Sequence, residues 1–134
     1  LSRRAMDYAR ERLGEDGECV DWVEGDVTAL DLERRFALWH DRAVFHFLTE
    51  PEDRAAYRTA LSRAVPEGGY AIVATFAPDG PEKCSGLSVV RYSPEGLADE
   101  LGVEWALVTT ASEMHVTPGG KEQSFVGCLF RKVG

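Results

Sequence analysis

Seven consecutive residues near the middle of the chain, Tyr70-Ala71-Ile72-Val73-Ala74-Thr75-Phe76, form a near-continuous apolar run. A strand with one wet face would alternate apolar and polar residues. A run without alternation reads as a strand buried on both faces, as in a parallel sheet with helices on either side. The run is sharply bounded. Pro66-Glu67-Gly68-Gly69 stops the preceding pattern, and a long Pro/Gly-containing loop, Ala77 to Val90, follows it. Loops of that length usually carry function or mobility.

The flanking segments supply the cover such a strand needs. Upstream, Thr49 stands three residues before Glu52, a capping-box spacing, with Pro51 in the first turn. Ala55, Ala56, Ala60, Leu61 and Val65 then make an apolar stripe, which predicts a helix to about Ala64. Downstream, Ser93-Pro94-Glu95 places an N-cap, a proline and an acid at a helix start, and Gly102 closes the helix after Leu101. Glu104–Met114 and Gln123–Lys132 read as strands, joined by the turn Thr117-Pro118-Gly119-Gly120 and therefore antiparallel. Nearer the start, Ser2 to Leu13 has helical spacing (Ala5, Met6, Ala9, Leu13), and Gly14–Glu18 reads as a loop. Cys19 to Val23 predicts a short strand closed by Glu24-Gly25-Asp26, while Val27 to Glu33 shows no clear periodicity. Phe36–Trp39 predicts a buried strand ending at His40-Asp41, and Ala43–Leu48 a short helix or helical turn. Strands alternating with helices and closed by a hairpin predict an open α/β sheet, mostly parallel.

Composition limits what such a domain can do. With 134 residues there is enough chain for one core, and 44% apolar against 28% charged residues is a globular mix. Fifteen Lys and Arg against 23 Asp and Glu give a net charge of −8, which repels phosphate backbones and argues against nucleic acid or an anionic membrane as partner. No stretch reaches the roughly 20 apolar residues that span a bilayer. Cys19, Cys84 and Cys128 form no CxxC pair, which fits a reducing, cytoplasmic setting. The chain opens with Leu1 directly into a helical pattern and reads as a single domain over 1–134 that looks like a segment cut from something longer.

In open α/β sheets ligands sit at the carboxyl ends of the strands, so the turns there carry the candidate chemistry. Asp26, in Glu24-Gly25-Asp26, either accepts hydrogen bonds from a ribose or an exocyclic amine, or caps Val27-Thr28. Trp39-His40-Asp41-Arg42 gathers an aromatic, an imidazole, a carboxylate and a guanidinium at another strand end. That set suits acid/base work or anion recognition, or else is an Asp–Arg surface pair beside a core Trp. His40 and His46, with His115 distant, lack metal-ligand spacing, so no metal is expected. Cys84 follows Lys83 in the long loop, where packing is the favoured role over nucleophilic chemistry. There is no Gly-x-Ser-x-Gly elbow, and Gly68-Gly69 precedes a strand rather than following one, so it is no phosphate cradle.

Trp22-Val23-Glu24-Gly25-Asp26-Val27, Leu38-Trp39-His40-Asp41-Arg42 running on to Leu48, Pro66-Glu67-Gly68-Gly69 and the loop Ala74–Leu87 together resemble the class I S-adenosylmethionine-dependent methyltransferases. The loop, with Lys83-Cys84-Ser85-Gly86, is similar to a bacterial small-molecule branch related to the thiopurine and tellurite methyltransferases. The resemblance implies a Rossmann-like sheet ordered three, two, one, four, five, seven, six, of which this chain would hold strands three to seven. It implies that S-adenosylmethionine is the cofactor, with Asp26 on the adenine amino group and the Val27 N–H on the ring. His40 and Asp41 would lie beside the methionine end, Arg42 near the small-molecule acceptor, and the loop around Cys84 would close over that acceptor. The family's glycine-rich loop after strand one and the ribose-binding acid ending strand two have no counterpart in these residues. Without strands one and two, the third strand has no neighbour and the fourth has a bare edge. The segment is then expected either to pair those two strands, to form a homodimer through the open edge, or to stay partly loose. The resemblance makes it the C-terminal part of a larger methyltransferase domain or, alternatively, a non-catalytic truncated remnant that folds or dimerises through its open sheet edge.

Overall fold

In a computed structural model, which describes residues 2–134, the apolar run is indeed central: β2 (Tyr70–Phe76) has a strand on each side. One four-stranded sheet is ordered β1-β2-β6-β5, with β1 at Leu38–Arg42, β5 at Trp105–Val116 and β6 at Glu122–Lys132. β1 runs parallel to β2, and β6 runs antiparallel to both β2 and β5. The sheet is therefore mostly antiparallel, against the expectation of a mostly parallel one. The hairpin return β6 inserts between β2 and β5, so a single reversed strand turns two of the three pairings antiparallel.

Two further expectations change. Cys19–Val23 forms no strand: Gly14–Cys19 is a 3-10 turn and the residues after it are irregular, with Val20 and Val23 about half exposed. A strand exists only through its ladder, and nothing among the described residues is placed to pair with this run. The predicted strand Phe36–Trp39 lies two residues later, at Leu38–Arg42, because that is where the chain runs in register with Tyr70–Ala74.

α1 (Arg3–Leu13) is capped by the Ser2 side chain on the Ala5 N–H and ends at Gly14. α2 (Pro51–Ala64) begins with Pro51, but its N-cap is Glu50 and no side chain bonds the first turn, so the Thr49–Glu52 capping box does not form. Its buried stripe is Tyr57, Ala60, Leu61 and Ala64, spaced for one helix face. α3 (Pro94–Leu101) is capped by Ser93 Oγ on the Gly96 N–H. α2 and α3 cover one face of the sheet, where Leu61, Val73, Leu97, Cys128 and Phe130 are fully buried. Burying a large apolar side chain is worth about 1.5–3 kcal/mol each, and this layer holds the fold. Lys132, buried at the end of β6, donates from Nζ to the Ser62 and Val65 carbonyls at 2.6 and 2.9 Å and so closes the C-terminus of α2.

The long loop after β2 contains a small hairpin, β3 (Lys83–Cys84) and β4 (Leu87–Ser88), turned by Ser85 and Gly86 at φ 51° and 78°. Its first turn packs tightly: a Cβ on Gly80 would stand 2.8 Å from the Ser124 carbonyl. No helix among the described residues is long and apolar enough to cross a membrane.

Candidate functional site

A wide cleft of about 1420 Å³ opens along the outer edge of β1. All five residues of β1 line it whichever face they point to, as expected when a cleft follows a strand's edge. The opposite wall is the 21–34 segment, including Asp26, Val27, Leu32 and Arg34. The volume exceeds the about 300–1,000 Å³ of ordinary ligand pockets, because among the described residues no strand fills the space beside β1.

Asp26 caps a short 3-10 turn, Val27–Ala29. One oxygen, Oδ1, accepts both the Thr28 N–H at 2.8 Å and the Thr28 hydroxyl at 2.7 Å. The Thr28 backbone bond, then the hydroxyl bond, hold the carboxyl below its usual range, so it is an anion at neutral pH. The capping alternative is thus realised, and it occupies one oxygen only. Val27 is half-buried and packs against the core beneath the cleft.

The four residues at the end of β1 divide between the two faces of the strand, as the period of two requires. Asp41 is buried and accepts three hydrogen bonds: the Tyr57 hydroxyl at 2.6 Å and the N–H groups of Val44 and Phe45 at 2.9 and 3.0 Å. Burial raises its pKa above the ordinary value even though those bonds and nearby His40 oppose the rise. Tyr57 is pushed well above 10, by burial first and by Asp41 second, so it stays protonated and donates. Trp39 Nε1 donates in turn to the Tyr57 oxygen at 3.0 Å. This chain of bonds fixes the turn after β1, where Ala43 sits at φ 63°, a region disfavoured for any residue with a Cβ.

His40 is exposed and lines the cleft. Arg42 lies on the same strand face, its guanidinium 4.4 Å from the Phe125 ring centre and 3.4 Å from Glu113. It reaches from the cleft towards β5 and β6. His46 does not belong to the cleft. Its ring is fully buried against Phe47 and Phe76, with Nδ1 accepting the Phe76 N–H at 3.2 Å and Nε2 without a partner among the described residues. Burial lowers its pKa to about 4 and keeps it neutral. Cys84 is half-buried on β3. No group of three or more His, Cys, Asp or Glu among the described residues could hold a metal ion.

The structure brings Asp26, Val27, His40, Asp41 and Arg42 to one cleft. Sequence reasoning missed Tyr57, the partner that commits Asp41. Its signal was present, since Tyr57, Ala60, Leu61 and Ala64 fall at i, i+3, i+4 and i+7.

Neither a protein-family model nor a curated protein matches the chain. Solved structures do. One, reported for conversion of a disulfide bond into a thioacetal group during echinomycin biosynthesis, aligns over 99% of this chain and 65% of its own length at 22% identity, TM-score 0.71. N-methyltransferase NodS from Bradyrhizobium japonicum WM9 aligns over 99% of this chain and 70% of its own, at 12% identity and TM-score 0.74. The 1,6-didemethyltoxoflavin-N1-methyltransferase of Burkholderia thailandensis, solved with 1,6-didemethyltoxoflavin and S-adenosylhomocysteine, aligns over 100% of this chain and 59% of its own, at 20% identity and TM-score 0.70. The chain thus spans between 59% and 70% of the length of these proteins. Along that span it has the fold of S-adenosylmethionine-dependent methyltransferases.

Proposed function

We propose that this chain is the C-terminal part of a larger S-adenosylmethionine-dependent methyltransferase domain that acts on a small-molecule acceptor. The observation that carries the reading is the sheet order β1-β2-β6-β5 with β6 reversed. It corresponds to strands four, five, seven and six of that family, and the likeness to two methyltransferases extends over at least 99% of the chain. A small acceptor is supported by the 1,6-didemethyltoxoflavin held by one of them.

The cleft's residues suit the cofactor. Asp26 is ionised and only one of its oxygens is committed, which leaves Oδ2 to accept an exocyclic amine. The Val27 N–H lies next to it in sequence, and Leu32, Phe36 and Trp39 give apolar walls for a planar ring. S-adenosylmethionine would supply a sulfonium methyl group, whose transfer needs alignment more than proton movement. Asp41, with three donors on it, positions the turn after β1 and is not available as a base. His40 is the uncommitted base for a hydroxyl acceptor, and Arg42 orients the acceptor at the cleft's end nearest β6. Calorimetric titration of this chain with S-adenosylhomocysteine should give micromolar binding. Asp26→Ala should weaken it about 10-fold or more, the worth of one charge-assisted hydrogen bond; equal affinity in the variant removes the adenine assignment.

A second reading, a non-catalytic remnant, is favoured by the free edge of β1 and the width of the cleft beside it. Titration without heat at high S-adenosylhomocysteine concentration would support it.

A further inference from the structure

We propose that Tyr57 is a positioning residue for the cleft: its hydroxyl sets the Trp39 wall and the 43–45 turn together, so that a ligand meets both in a fixed relation. This role rests on the reading of the cleft as a cofactor site; the bonds that carry it do not.

Packing alone asks only for a phenyl ring at this position. The Tyr57 ring is fully buried, edge-on to Trp39 at 5.6 Å and tilted against Phe45 at 4.7 Å, contacts that Phe would keep. The hydroxyl is the addition, and it stands between two groups that do not meet by themselves. Trp39 and Asp41 share one face of β1, two residues apart, which is about 6.6 Å along a strand. An indole N–H only donates and a carboxylate only accepts. A hydroxyl between them therefore has one arrangement: its oxygen accepts the Trp39 Nε1–H at 3.0 Å, and its proton is donated to Asp41 Oδ2 at 2.6 Å. Bonds in such a series polarise one another, so a change at one end is felt at the other.

Both ends of the series reach the cleft. Trp39 is half-buried and lines it, as do Ala43 and Val44. Asp41 passes the constraint on by accepting the Val44 N–H on Oδ1 at 2.9 Å and the Phe45 N–H on Oδ2 at 3.0 Å. Ala43, just before them, keeps φ at 63°, a conformation that a residue with a Cβ holds only where its surroundings impose it. Of α2, only Tyr57 lines the cleft. Without its hydroxyl the indole N–H turns to water in the cleft and Oδ2 keeps one donor, so wall and turn lose their common reference.

The test is a double-mutant cycle on the full chain, Trp39→Phe with Tyr57→Phe, read by calorimetry with S-adenosylhomocysteine and by amide NMR spectra of the unliganded protein. Tyr57→Phe should weaken binding about 10-fold, the loss expected from one buried hydrogen bond. Trp39→Phe should then cost about 3-fold less affinity in that background than in the wild type, since its N–H has already lost its acceptor. In the unliganded protein Trp39→Phe should shift the Val44 and Phe45 amide signals, and the shift should fall to about half or less in the Tyr57→Phe background. Ala60→Gly, which destabilises the same helix without touching these bonds, should leave the affinity within about 2-fold. Tyr57→Phe with wild-type affinity overturns the proposal. So do independent, multiplicative losses in the cycle, or amide shifts that Trp39→Phe produces equally in both backgrounds. A wild-type chain that binds no S-adenosylhomocysteine removes the cofactor reading instead, and the amide spectra then decide alone whether Tyr57 couples wall to turn.

Discussion

The stretch from Phe36 onwards and the stretch before it obey the same chemistry and reach opposite ends. In the first, Tyr70–Phe76 gains a ladder on both sides and a helical layer on one face, and Ala71, Val73, Thr75 and Phe76 are fully buried. In the second, the shorter run Val20-Asp21-Trp22-Val23, apolar at three of four positions, gains no ladder, and only Met6 and Gly17 are buried among residues 2–35. Trp22 there is held by its Nε1–H on the Gly17 carbonyl at 3.1 Å and by Arg10 over its ring. Apolar character alone does not make a strand; a partner for the backbone does. Stability should therefore be concentrated in one region, and substitutions can test how sharply.

The largest effect belongs to the sheet's centre. Phe130, fully buried on β6 between Ala71 and Leu107, should cost about 3–5 kcal/mol when changed to Ala, as core aromatic truncations do. In thermal unfolding that corresponds to a drop of about 10–20 °C. A loss below about 1 kcal/mol would mean the packed layer is not where the folding energy lies.

Acid should also act through the packed region. The folded His46 titrates near 4 against 6.5 when unexposed to burial, so between these values the unfolded chain binds the extra proton. Stability from this group is complete above about pH 6.5 and falls as the pH drops towards 4, by about 3 kcal/mol in all. Asp41, whose pKa is raised, works the other way: its folded form holds a proton longer, so lowering the pH through its titration restores some stability. His46→Phe should flatten the limb between pH 4 and 6.5 in urea melts while lowering stability at pH 7, because the Phe76 N–H loses its acceptor. An acid limb that is unaltered in the variant would assign the pH dependence elsewhere.

A smaller effect is expected at Tyr57→Phe. Removing the hydroxyl takes one of three donors from Asp41 and leaves Trp39 Nε1 without its acceptor. About 1–3 kcal/mol should be lost, with the indole fluorescence of Trp39 changed by its altered surroundings. An equally stable variant would show that the two backbone N–H groups suffice to hold Asp41.

The same contrast explains how far the sequence could be read. Local signals were enough for α3, where Ser93, Pro94 and Gly102 mark both ends, and for β2, bounded by Gly69 and the loop after Phe76. The hairpin β5–β6 followed from Thr117-Pro118-Gly119-Gly120 between two apolar runs. Cys19–Val23 was misread because its composition is that of a strand and only the tertiary arrangement withholds the partner. In the cleft, the Trp39–Arg42 stretch was identified by residue type, and Asp26's capping alternative by its position before Val27-Thr28. What the chain alone did not show was that Tyr57, sixteen residues on, takes up Asp41. Nor did it show that Arg42 reaches Glu113, 71 residues away. Such pairings depend on helix and strand being brought together, which residue types do not specify.

The smallest effect should come from the other side of the comparison. Trp22→Ala removes an aromatic, a hydrogen bond and a cation–π contact, a loss that would exceed 3 kcal/mol in a packed core. Here the ring is only half-buried, and its partners Gly17 and Arg10 belong to the same N-terminal stretch. Truncation should loosen α1 against the turn at Gly14–Cys19 without reaching the sheet. The global unfolding free energy should fall by less than about 1 kcal/mol, while hydrogen exchange speeds up between residues 2 and 24 alone. If exchange at Val73 and Phe130 accelerates as well, the two regions unfold as one unit, and the bare stretch contributes to the sheet through contacts stronger than its exposure implies.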